Sequence, residues 1–161
     1  MRVDPYRINP DDPRAPPQEV WDRLTPEERL QIIHGLSSEF PVTGFAPPAG
    51  MPRFTAKVGI RDALGGFFSR LGRKVFLACE LPVYYPGEPM FAPDLIAVLD
   101  VETHERMSWV VSQQSRGVDL ALEVYVAGDW RTEVERNVER YARLGLREYF
   151  VFDRGRLRLL G

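Results

Sequence analysis

Cysteine, lysine and histidine are all scarce in this chain of 161 residues. Cys79 is the single cysteine, so no internal disulfide can form, and nothing argues for an oxidising compartment. Only Lys57 and Lys74 are lysines, against nineteen arginines, which matters for any site that needs a lysine ammonium. His34 lies in a helical stretch and His104 in a charged loop, and neither has a second histidine beside it, so both are expected to be structural or solvated. There is no excess of positive charge either. A net charge of −2 does not hold nucleic acid by bulk electrostatics, although a local basic patch would suffice. No stretch approaches the roughly 20 apolar residues of a membrane span, and Met1-Arg2-Val3-Asp4-Pro5 lacks the apolar segment of a secretory signal. A cytoplasmic protein without a membrane partner is expected.

What is present fits one domain with a real core. Residues 1–17 are rich in proline and charge and predict an extended, poorly ordered arm ahead of a single domain over 18–161. Thr25-Pro26-Glu27-Glu28 reads as a helix start, with Thr25 as cap and glutamate as capping-box partner, and Leu30, Ile33 and Leu36 form its apolar stripe. Prolines and glycines predict a loop over 37–53. A longer helix is expected over 54–71, with Phe54, Val58, Leu64, Phe67, Phe68 and Leu71 facing a core. Three strands follow, near 74–85, 94–101 and 118–126, then a helix over 130–144 capped by Gly145. Val134, Val138 and Tyr141 mark the apolar face of that helix. Strands near 148–153 and 156–160 close the chain.

The strand Val118–Val126 is apolar at nearly every position, the pattern of a strand covered on both faces. In its middle stands one carboxylate, Glu123. A buried, unpaired charge costs several kcal/mol or more, so Glu123 must be protonated, paired or holding a cation. Asp94 opens the preceding apolar strand after Pro93. If the two strands are neighbours, both carboxylates can face one cleft and bind a hard cation such as Mg²⁺, with a main-chain carbonyl such as that of Val124 as a further ligand. The alternative is that Asp94 caps a loop and Glu123 pairs with a core arginine. Geometry discriminates: a cation-binding pair converges on one point with no arginine between, and an arginine that neutralises Glu123 removes the metal reading.

Three blocks carry a resemblance: Phe91-Ala92-Pro93-Asp94-Leu95, then Asp119-Leu120-Ala121-Leu122-Glu123-Val124, then Tyr141 through Asp153. In this order and spacing they resemble the Uma-two-type restriction endonuclease family, within the PD-(D/E)XK nuclease superfamily. The resemblance runs from about residue 56 to residue 153. It implies a restriction-endonuclease-like α/β fold, a central mixed sheet flanked by helices in the order αβββαβ, with the nuclease core over about 54–153. It also implies hydrolysis of DNA phosphodiester bonds with Mg²⁺, or Mn²⁺, held by Asp94 and Glu123. DNA is then the partner, and a homodimer is admitted.

The superfamily's lysine, two residues after the glutamate, falls at Tyr125. Family members usually carry it on the next helix, where this chain has Asn137; the acidic residue a turn earlier is Glu133. Lys57 on the first long helix lies at no family lysine position, although it could reach the site from there. Asn137 sits about 60° from the centre of the Val134/Val138/Tyr141 stripe. It can orient a water or bond a phosphate oxygen, with Arg140 nearby, but brings no positive charge. Arg136, Arg140, Arg143 and Arg147 could track a DNA backbone, or form a solvated face with the interleaved glutamates. Glu80, Asp62 and Glu39 are further candidate acidic ligands. Two rivals stand beside the nuclease: a degenerate nuclease fold that binds nucleic acid or protein without cleaving, and an interaction domain in which the carboxylates only make core ion pairs.

Overall fold

The computed structural model describes residues 6–38, 50–126 and 130–161. Most of the loop expected over 37–53, with Glu39, lies outside them. In chain order the helices are α1 (Gln18–Trp21), α2 (Pro26–Ser38), α3 (Gly50–Arg70), α4 (Val111–Gln114) and α5 (Arg131–Leu144). The strands are β1 (Val75–Ala78), β2 (Val83–Tyr84), β3 (Leu95–Leu99), β4 (Trp109–Val110), β5 (Leu120–Tyr125), β6 (Glu148–Asp153) and β7 (Arg158–Leu160). The contacts divide the chain into two compact units, residues 1–46, 82–92 and 106–116 in one, and 47–81, 93–105 and 117–161 in the other. No helix among the described residues is long and apolar enough to cross a membrane.

In the first unit the proline-rich arm is packed from Tyr6 onward. Arg14 and Ala15 bridge to Pro89 and Pro86, and Ala15 is fully buried. The capping box forms as its residues dictate: the Glu28 N–H donates to Thr25 Oγ1 (3.2 Å) and the Thr25 N–H to Glu28 Oε2 (2.8 Å). Ile32 and Leu36, rather than Leu30, carry α2 into a core with Trp21, Leu24, Tyr84 and Val110. Trp109 and Val110 form the two-residue strand β4, parallel to β2, and Trp109 is a packing residue whose Nε1 donates to the Arg116 carbonyl.

The second unit holds the mixed sheet, in the order β1-β3-β5-β6-β7. β1, β3 and β5 run antiparallel, α5 returns the chain so that β6 lies parallel to β5, and β7 folds back against β6. This is the expected α/β fold. Alternation along β5 separates two faces. Leu120, Leu122 and Val124 pack with Phe150 and Phe152 against Ala56, Ile60 and Leu64 of α3. Ala121, Glu123 and Tyr125 point the other way; Tyr149, directly paired with Ala121, shares that face, and the ring of Tyr141 on α5 meets it edge-on at 5.0 Å.

Both long helices keep only part of the stripe that the apolar letters predict and turn other residues inward beside it. On α3 the packed stripe is Ala56, Ile60 and Leu64, while Phe54, Phe67 and Leu71 are exposed. Phe54 is about 200° round the helix from Ala56, and the other two lie past the last packed turn. On α5 the inward residues are Val134, Asn137, Tyr141 and Leu144, and Val138 is half exposed. Asn137 therefore occupies the middle of the inner stripe, not its flank. Gly145 ends α5 in the left-handed region (φ 79°), a conformation in which any side chain would be strained.

Candidate active site

The β3–β5 ladder stops at the Leu95–Leu122 pair, but β5 continues for three more residues against β6 alone. Asp94, the residue just before β3, fills the gap. Its Oδ2 accepts the Val124 N–H at 2.7 Å, so a side-chain carboxylate replaces the missing strand as acceptor. In return the Asp94 N–H points at Glu123 Oε2, 3.4 Å away. Asp94 is almost completely buried. The N–H and C=O of one strand residue face the same neighbour, so the Val124 carbonyl also looks toward the Asp94 side. The sheet thus brings the two predicted carboxylates and the predicted carbonyl together.

Burial, and then the adjacent negative charge of Asp94, push the Glu123 carboxyl up to about 9, against the weaker opposing pull of the Asp94 N–H and of Arg53. Glu123 consequently keeps its proton at neutral pH. The arginine that does stand here is on Asp94: Arg53 Nη2 lies 2.8 Å from both of its oxygens. Burial works against the charge on Arg53, but its bonds to Asp94 and the neighbouring acids outweigh it. One helical turn later Lys57 is buried, with its Nζ 3.4 Å from Asp94 Oδ1 and hydrogen-bonded to Glu80. Glu80 follows β1 with a left-handed backbone (φ 53°), unusual for a residue other than glycine or asparagine.

The α5 side of Glu123 is lined by tyrosine. Tyr125, Tyr141 and Tyr149 are all pushed above the ordinary phenol range, foremost by burial and next, for Tyr125 and Tyr141, by the Glu123 charge. All three stay protonated, so none is a base. Asn137 Nδ2 donates to the Tyr149 hydroxyl at 3.2 Å. Its hydrogen bond thus goes to neither carboxylate nor to backbone. The Tyr125 hydroxyl is buried without a partner, and its ring stacks on Trp130 at 5.8 Å. Cys79, half-buried beside α3, is pushed up by burial and offers no thiolate nucleophile. An apolar groove lined by Leu64, Phe67, Leu122, Phe150 and Phe152 holds none of these groups.

Asp94, Glu123 and Val124 are legible in the sequence as one locus, and Lys57 and Glu80 only at its margin. Arg53 is not legible there: its one signal is its position one turn before Lys57 on the same helix face. The donor set suits a hard cation: two carboxylates, one still carrying the proton a cation would displace, and a carbonyl on the same side. Among the described residues no group of three or more Asp, Glu, His or Cys side chains forms a closed metal cage, and Arg53 must leave Asp94 for a cation to enter. Its side chain is 27% exposed and has solvent to swing into.

No curated protein matches the sequence. Residues 25–160 match the Uma2 family, described as "Putative restriction endonuclease", and the chain belongs to that family.

Proposed function

We propose that this protein is a Mg²⁺-dependent nuclease that hydrolyses DNA phosphodiester bonds, with Mn²⁺ able to substitute, and that it works in the cytoplasm. The observation that carries the reading is the Asp94–Glu123 pair: two adjacent, buried carboxylates where β3 begins beside β5, with no arginine bonded to Glu123 among the described residues. Asp94, Glu123 and the Val124 carbonyl would hold the cation. Bound there, a divalent cation supplies positive charge to the phosphate and acidifies a water.

The rest falls to the chain's own groups. Glu123 releases its proton as the cation binds, so affinity rises with pH. Asp94 stays fixed by the Val124 N–H, which sets its oxygens relative to β5. Asn137, through Tyr149, holds the α5 wall beside Glu123 and can orient a water or a phosphate oxygen. The exposed Arg136 and Arg147, on α5 and just beyond it, would track a phosphate backbone.

The test is incubation of the purified protein with plasmid and single-stranded DNA in Mg²⁺ or Mn²⁺. Cleavage is expected from the wild-type chain and not from Glu123→Ala. Undiminished cleavage by Glu123→Ala would refute the site. A second reading, a nuclease-fold module that binds without cleaving, draws on Arg53, which already neutralises Asp94, and on the asparagine at 137. It predicts DNA or protein binding that is indifferent to divalent cations.

A further inference from the structure

We propose that Lys57, held by Glu80, is the cation that contacts the scissile phosphate, in the role left open by Tyr125 and Asn137. The inference rests on the nuclease reading of the Asp94–Glu123 site. Lysine is almost never buried unless it is paired, yet Lys57 is 6% exposed, and both acids that pair it lie at this site. The chain uses arginine nineteen times and lysine twice, and one of those lysines is here. A compact ammonium on a flexible stem can approach a reacting phosphate as a point charge where a planar guanidinium would not fit.

The neighbours leave this role to Lys57. Asn137 gives one amide N–H to Tyr149, on the α5 side of β5, and brings no positive charge. Tyr125 occupies the superfamily's lysine position with a phenol that stays neutral. Arg53 spends one nitrogen on both oxygens of Asp94. Lys57 has three N–H groups, one directed to Glu80 and one toward Asp94, so a third is left for a phosphate oxygen beside the carboxylate pair. Glu80 keeps a strained left-handed backbone at the place where its carboxylate meets Lys57, which is the kind of strain that accompanies a positioned functional group. Glu80 is thus a positioning residue, and Lys57 is the one that touches substrate.

Three measurements on Lys57→Met test this: Mn²⁺ affinity by calorimetry, single-turnover plasmid cleavage at saturating Mn²⁺, and DNA affinity across salt concentrations in Ca²⁺, read before cleavage. Mn²⁺ binding should persist. The single-turnover rate should fall on the order of 10²–10³-fold, as for loss of one donor to a developing charge. The slope of log affinity against log salt should shrink by about one phosphate contact. Adding Asn137→Lys to Lys57→Met should recover part of the rate. If Lys57→Met alone does not fold, Lys57→Met with Glu80→Gln removes both charges together and carries the same three readouts. Cleavage within threefold of wild type, an unchanged salt slope, or loss of Mn²⁺ binding together with cleavage would each overturn the proposal while leaving the nuclease reading standing. A wild-type protein that binds Mn²⁺ and cuts no DNA would overturn both.

Discussion

Replacing Glu123 with glutamine mimics the protonated carboxyl without allowing it to ionise, and the consequence for stability can be worked from the site. In the unfolded chain a glutamate ionises near its ordinary value of 4.5; in the folded protein burial and Asp94 hold the proton to about 9. Between those values the unfolded state binds one proton fewer than the folded state, so stability falls as pH rises. The contribution is intact below pH 4.5 and is lost progressively up to about 9. One proton gives a slope of at most about 1.4 kcal/mol per pH unit, or roughly 3 kcal/mol between pH 5.5 and 8.

Urea unfolding of both proteins at pH 5.5, 6.5, 7.5 and 8 reads this directly. Glu123→Gln should be the more stable by about 1.4 kcal/mol already at pH 5.5, one unit above the unfolded value, and the gap should widen with pH. Mg²⁺ should stabilise the wild-type chain increasingly toward alkaline pH, because a cation that displaces the proton is bound only by the folded state. It should do little for Glu123→Gln. Stability profiles that run parallel for the two proteins, with or without Mg²⁺, would show that Glu123 holds no anomalous proton, and the electrostatic account of the pair would fail.

Asn137→Ala removes the donor to Tyr149 and should cost about 1 kcal/mol in urea melts, with the hydroxyl left in a half-buried setting. Thr25→Ala deletes one arm of the capping box and should also cost about 1 kcal/mol, while DNA cleavage per folded molecule stays unchanged. Leu122→Ala empties a buried position under α3 and should cost on the order of 2–5 kcal/mol by the same measurement. Asp94→Asn leaves Lys57 with Glu80 alone and takes away the partner of Arg53; a loss of roughly 3 kcal/mol and of Mn²⁺ binding is expected by unfolding and calorimetry.

How far the sequence discloses this architecture depends on the range of the interaction involved. The capping box at Thr25, the left-handed stop at Gly145 and the strand cores follow from local rules, and they form where the residues place them. Helix faces are harder. Phe54 and Val138 look like core residues by composition and are exposed, because the sheet each helix rests on, not the helix itself, decides which side is buried. The packed arm is harder still: Ala15 and Arg14 bridge to residues more than seventy positions away, and no local pattern encodes that.

The candidate site divides along the same line. Glu123 advertised itself by standing in an apolar run, and Asp94 by opening the strand before it; both are anomalies within their own segments. Lys57 and Arg53 are not. On a helix already carrying Arg61 and Arg70, two more basic residues read as a solvated face. Only the start of β3, where the carboxylate of Asp94 turns toward α3, gathers them around one acid, Lys57 buried and Arg53 partly exposed. That asymmetry also explains the charge state of the site. Arg53 and Lys57 pair with Asp94 and Glu80, while burial, and next the Asp94 charge beside it, leave the proton on Glu123. A divalent ion entering there adds charge at the point of deficit, which is why proton release at Glu123, and not a search for a third carboxylate, is the measurement to make first.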